Sequence, residues 1–115
     1  MDPRQVIEGW GHLAAEVAPR VTPLLLLLRD AAYRDPESAT LRAELDRNRL
    51  ERMADNAGYL ADSGHLRPGV THQDARDILW LYSSPELYDL LVNQRGWSTA
   101  EHSSFITRAM TDALL

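Results

Sequence analysis

Four histidines, a serine pair and scattered carboxylates are the groups in this chain that could do chemistry. His12, His65, His72 and His102 stand far apart in sequence. A metal centre needs ligands that converge, and no two of them stand three or four residues apart. His65 and His72 flank a turn without a second ligand, so all four are assigned to the surface. Ser83-Ser84 would need a base within reach to act as a nucleophile. None stands nearby, and Ser84 is better placed as a helix cap. Acid–base catalysis by paired carboxylates needs two acids in contrasting environments, whereas the acids here fall mainly on solvent-facing positions. Gly9 and Gly11 lack the preceding strand that a phosphate-cradling loop requires. The chain has no cysteine, which removes thiolate chemistry and disulfides. The expectation is a protein that is not an enzyme and holds no metal or cofactor.

Binding is better represented than catalysis. Trp10, Met53, Asn56, Tyr59 and Trp80 place aromatic, thioether or amide groups on otherwise apolar faces. Aromatic walls with a few polar groups are what a small-molecule pocket uses; ordinary core filling is the competing explanation. Trp80, Tyr82, Tyr88 and Trp97 put four of the eight aromatic residues into one stretch. That much aromatic surface needs a partner within the domain or on another chain.

The elements that must position these residues are helical. Val6, Trp10, Leu13, Val17, Val21, Leu24 and Leu28 recur at steps of three and four, which marks one helix face. Pro19 is expected to end a first helix and Thr22-Pro23 to start a second, reaching Ala32 or Tyr33. The leucine run Leu24 to Leu28 points all round, so it is expected to be covered on most sides. A long helix is predicted from Pro36 or Glu37 to Asp62, with Leu41, Leu45, Met53, Ala57 and Leu60 as its buried stripe. Thr71 with Asp74 opens the next helix, whose apolar face is Ala75, Ile78, Leu79 and Tyr82. Ser84-Pro85-Glu86 is a helix start, so this region is one helix kinked at Pro85 or two helices meeting there. Gly96 stops it. Ser98 with Glu101 caps the last helix, which carries Phe105, Ala109, Met110, Ala113 and Leu114. No segment alternates as a strand does. The expected fold is all-α, a single domain of about five helices spanning residues 1–115.

The balance of 12 arginines against 17 acids gives a net charge of −5, which argues against this chain gripping a phosphate backbone. The five leucines are too few to cross a bilayer, and the N-terminus lacks the pattern of a signal peptide. A cytoplasmic location without membrane contact is expected.

Several segments, in order, resemble the C-terminal half of TetR-family transcriptional regulators. They are Leu66-Arg67-Pro68-Gly69-Val70, Ala75-Arg76-Asp77-Ile78-Leu79-Trp80, Ser83-Ser84-Pro85-Glu86-Leu87-Tyr88 and Leu91-Val92-Asn93-Gln94-Arg95-Gly96-Trp97-Ser98. Upstream, Val17-Ala18-Pro19, Leu24 to Ala32 and Asp35-Pro36-Glu37 are similar to earlier helices of the same domain. The resemblance implies a ligand-binding and dimerisation domain. In such proteins the last two long helices of each subunit form an intermolecular four-helix bundle; here these are the runs from about Thr71 to Arg95 and from Ser98 to Leu114. It implies a homodimer with Tyr88, Leu91, Trp97, Phe105 and Met110 at or near the contact. It also implies an effector pocket, small and largely apolar, for which Trp10, Leu28, Met53, Asn56, Tyr59 and Trp80 are the candidates. The family's helix-turn-helix module is not seen before Asp2-Pro3. This chain by itself is therefore expected to make no contact with nucleic acid, and operator DNA would be the partner of a helix-turn-helix domain in a longer protein. A helical homo- or heterodimeric interaction module without a ligand is the alternative reading, and a small helical-bundle enzyme is a third.

Overall fold

Each helix begins where a short polar side chain can take up free backbone N–H groups. In the computed structural model, which describes residues 2–115, Asp2 caps α1 (Pro3–Ala31) and Asp35 caps α2 (Pro36–Asp62), each followed by proline in the first turn. Thr71 and Asp74 form a reciprocal capping box on α3 (His72–Tyr82). The Ser84 hydroxyl accepts from the Leu87 N–H at 3.2 Å and opens the short α4 (Pro85–Tyr88). Ser98 and Glu101 form a second box on α5 (Thr99–Leu114). The described residues form these five α-helices and no strand. At Pro85 two helices meet, because Ser83 and Ser84 leave the helical path before it.

The chain after α4 is not a regular α-helix. Asp89–Gln94 winds as a π-helix. The Asp89 carboxylate accepts from Asn93 Nδ2 at 2.9 Å and from Gln94 Nε2 at 3.0 Å. The reach from residue 89 to residue 94 matches the wider π turn. Gly96, at φ +76°, then lets the Trp97 N–H return to the Leu91 carbonyl before Ser98 starts α5.

The expected break in the first helix does not occur. α1 runs unbroken through Pro19 and Pro23 over 29 residues, about 43 Å at 1.5 Å per residue. That length sets the 44 Å long axis of the molecule. Each internal proline removes one helical hydrogen bond, but both are exposed. The helix is held from its other side, where Ile7, Gly11 and Thr22 are buried. Tertiary packing here overrides a local preference against helix of about 3 kcal/mol per proline.

The leucine run is covered only in part: Leu25, Leu26 and Leu28 are half-buried. Leu24 is 54% exposed and Leu27 66%, and they continue an open apolar flank that starts at Leu13, Val17 and Val21. Leu41, placed by its spacing in the buried stripe of α2, is exposed as well. Among the described residues no helix is long and apolar enough to cross a membrane.

The closed core is Ile7, Ala57, Leu60, Ala75, Leu79, Ile106, Met110 and Leu114. α3 packs along α2, and α1 lies along α5 and part of α2. At the far end of α5, the Arg67 N–H and guanidinium donate to the carbonyls of Leu114 and Asp112, both at 2.8 Å. These are acceptors that a helix C-terminus leaves free.

α1 and α5 come close together at Gly11. Ser103 Oγ donates to the Gly11 carbonyl at 2.8 Å, and a Cβ added at Gly11 would overlap the Thr107 hydroxyl. Gly11→Ala is therefore expected to lower stability by about 1–3 kcal/mol through overpacking, despite alanine's better helix propensity. Gly9, two residues earlier and with open space around it, is the control. Gly9→Ala should raise stability by about 0.5–1 kcal/mol. Urea midpoints of the two variants check both signs; equal shifts would remove the close-approach argument.

Candidate functional site

Small side chains on α1 leave a cavity between the helices. Along one line of α1 stand Trp10, Ala14, Ala18 and Thr22, each four residues from the last. Trp10 lines the cavity, and the two alanines put nothing bulkier than a methyl into it. The facing walls repeat the pattern: Arg49, Met53 and Asn56 from α2, Leu79 and Tyr82 from α3, and His102, Ile106 and Met110 from α5. Ser83, Ser84, Pro85 and Tyr88 close the side where α3 meets α4. The cavity measures about 330 Å³ and is half open towards the flank of α1 carrying Leu13, Val17 and Val21. That volume lies at the lower end of the range for small-molecule sites.

The polar groups on these walls are few. His102 sits on the buried stripe of α5, four residues before Ile106, and is 3% exposed. Its ring stands edge-on to Tyr88 with centroids 5.2 Å apart. Neither Nδ1 nor Nε2 has a hydrogen-bond partner among the described residues. Leaving a buried polar group unpaired costs about 1–3 kcal/mol, so such a group in a cavity wall is a ready partner for a ligand's donor or acceptor. Burial also holds its pKa below the ordinary histidine value, because the charged form loses its water.

Arg49 is the other unusual group. Its guanidinium carbon lies 3.6 Å from the centre of a Trp80 ring. Nη1 donates to the Trp80 carbonyl at 2.6 Å and to Ser83 Oγ at 2.7 Å. Burial lowers its pKa to about 10, which still leaves it charged at neutral pH. The nearby acids are engaged elsewhere. Arg42 takes Asp46 at 2.9 Å and Glu86 at 2.6 Å, and also donates to the Leu25 carbonyl at 2.9 Å. Burial opposes the Arg42 charge, but the hydrogen bonds it donates to Glu86 and Asp46 outweigh it and raise the pKa.

Of the residues the sequence singled out for a pocket, Trp10, Met53 and Asn56 line the cavity together. Leu28 lies beyond it towards the end of α1, and Tyr59 is exposed on α2. The Trp80 ring is behind Arg49 and supports the wall from outside. Of the residues assigned to a dimer contact, Tyr88 and Met110 are buried inside the chain and line the cavity. Leu91, Trp97 and Phe105 are partly exposed. Phe105 meets Trp97 and Tyr82 edge-on, at 5.6 and 6.4 Å between centroids.

His102 overturns the assignment of every histidine to the surface. The signal in the sequence is the four-residue series His102, Ile106, Met110, Leu114, all buried. Of the stripe read as Phe105, Ala109, Met110, Ala113 and Leu114, Met110 and Leu114 belong to this series, whereas Phe105, Ala109 and Ala113 lie one position out of phase with it. His72 is exposed, yet its Nε2 donates to the Ala54 carbonyl of α2 at 2.9 Å. Among the described residues no group of three or more histidine and acidic side chains is arranged to hold a metal ion.

His102 makes stability depend on pH with a defined sign. Its pKa is lower folded than unfolded, where the ordinary value is 6.5. Its contribution is therefore complete above that value. As pH falls below it, the unfolded chain takes up a proton that the folded chain refuses, and stability drops by up to about 1.4 kcal/mol per pH unit. The loss levels off below the folded-state value. Asp35, Asp74, Glu86 and Asp89 have lowered pKa values, so their stabilisation is lost only in more acidic solution. His102→Leu should flatten the urea midpoint between pH 7 and the carboxylate range. A slope unchanged by that substitution would contradict the placement.

No protein-family model, curated protein or solved structure matches this chain.

Proposed function

We propose that the chain is a small-molecule-sensing domain, the effector-binding and dimerisation core of a TetR-like transcriptional repressor. The single observation that carries the sensing part is the cavity: apolar walls from five helices, with an unpartnered buried histidine in one of them. The regulatory part rests on the sequence resemblance, from Leu66-Arg67-Pro68-Gly69-Val70 to Arg95-Gly96-Trp97-Ser98.

The ligand is a small, largely apolar molecule that spans the space between Trp10 and His102. It enters beside Leu13, Val17 and Val21, where the cavity is open. The protein acts in the cytoplasm, without enzymatic turnover. Two copies associate through Leu91 of the π-helical segment, Trp97 of the turn that follows it and Phe105 of α5. The cavity touches α1, α2, α3, α4 and α5, so a ligand that fits one arrangement of these helices better than another shifts their balance. Equal affinity for both arrangements would shift nothing. DNA readers belonging to a longer protein would follow the change in dimer geometry.

The alternative is a helical interaction module with no ligand. The exposed apolar flank of α1 from Leu13 to Leu27 favours it, since such surface suits a protein partner. A thermal-shift titration with naphthalene separates the two. Binding to the folded state alone adds about 2.7 kcal/mol at a hundredfold excess over Kd, so the midpoint should rise and saturate. An unmoved midpoint, with a dimer that persists on dilution in light scattering, would favour the module.

A further inference from the structure

We propose that the cavity selects an organic acid, an apolar body carrying a carboxylate, and that Arg49 binds the acid group. This rests on the ligand-binding reading above and adds the chemical class of the ligand.

The charges around the cavity carry the inference. Arg49 and Arg52 both line it, and no aspartate or glutamate does. That is a marked bias in a chain where acids outnumber arginines 17 to 12. Arg49 has no ion pair among the described residues, and the acids Asp46 and Glu86 are held by Arg42. A charge withdrawn from water without a counter-ion is costly, and an anion arriving in the cavity supplies one.

The geometry favours a planar acid head. Trp80 fixes the guanidinium plane from one side. Only Nη1 is committed to protein acceptors, and among the described residues neither Nε nor Nη2 has a hydrogen-bond partner. Guanidinium donors in that fork match the two oxygens of a carboxylate. Asn56 of α2 and Ser84, before α4, also line the cavity. The remaining lining, from Trp10 to Ile106 and Met110, suits a hydrocarbon or aromatic body.

The test is calorimetric titration of the unmodified protein with 2-naphthoate and with 2-naphthamide, which has the same shape and no charge. The acid should bind at least tenfold more tightly, and Arg49→Met should abolish that preference while keeping affinity for the amide. Equal affinities in the unmodified protein would overturn the organic-acid inference and leave the cavity reading standing. A preference that survives in Arg49→Met would overturn the assignment to Arg49. No heat of binding from either compound would remove the ligand-binding reading itself. The acid–amide comparison needs no substitution, so it decides the class of ligand even if Arg49→Met fails to fold.

Discussion

Leu79→Ala is expected to cost about 2–5 kcal/mol of folding stability. Leu79 is 1% exposed and belongs to the core between α2, α3 and α5, with Leu60, Ala75 and Ile106. It is also part of the cavity wall. Truncation removes buried methyl groups and joins the vacated space to an existing void, so neighbouring side chains have little to collapse onto. A domain of this size has a total stability of about 5–15 kcal/mol, so the loss is a large part of the whole. Leu81 stands two residues along the same helix and is 54% exposed. Leu81→Ala should shift stability by less than about 0.5 kcal/mol. Urea denaturation of the pair reads the difference directly. Similar losses for both would mean that α3 presents another face to the core.

Arg42→Ala is the second large effect, about 2–4 kcal/mol. Its guanidinium joins three elements: the Leu25 carbonyl of α1, Asp46 of its own helix and Glu86 of α4. Removing one partner of a buried ion pair costs about 3–5 kcal/mol. The figure is reduced here because Asp46 and Glu86 keep some water contact, which screens the pair. Glu86→Gln leaves Arg42 with Asp46 and should cost about 1 kcal/mol. Equilibrium unfolding of the two variants gives the order. An Arg42→Ala protein as stable as Glu86→Gln would show that the network does not tie α4 to α1 and α2.

The beginnings of the helices were legible because capping is local chemistry. Asp35-Pro36, Thr71 with Asp74, Ser84-Pro85 and Ser98 with Glu101 each satisfy N–H groups within three residues of themselves. No distant part of the chain can change that. Gly64 and Gly96 end helices with a positive φ, for the same local reason. Pro19 and Pro23 also give a local signal, but it is outvoted: α1 is continuous because its buried side, at Ile7, Gly11 and Thr22, is gripped along its length.

The leucine run misleads for the opposite reason. Composition cannot tell which sides of a helix have neighbours, and Leu24 and Leu27 stay more than half exposed. The cavity was half visible. Trp10, Met53 and Asn56 stand out by residue type, and they do share it. Arg49 and His102 were not found because both types are normally at the surface; only packing reveals that Arg42 has taken the acids and that α5 turns His102 inward. Tyr59 and Trp80 stand out equally by type, but helix phase puts one in solvent and the other behind Arg49.

The central claim, that this cavity takes up a small apolar molecule, is tested most directly by methyl NMR on protein labelled at methionine and isoleucine. Met53, Met110 and Ile106 line the cavity, whereas Ile7 and Ile78 do not. Titration with naphthalene should move the first three resonances in a saturable way, with one Kd, and leave Ile7 and Ile78 in place. Resonances that all stay put, or shift linearly without saturation, would contradict the account.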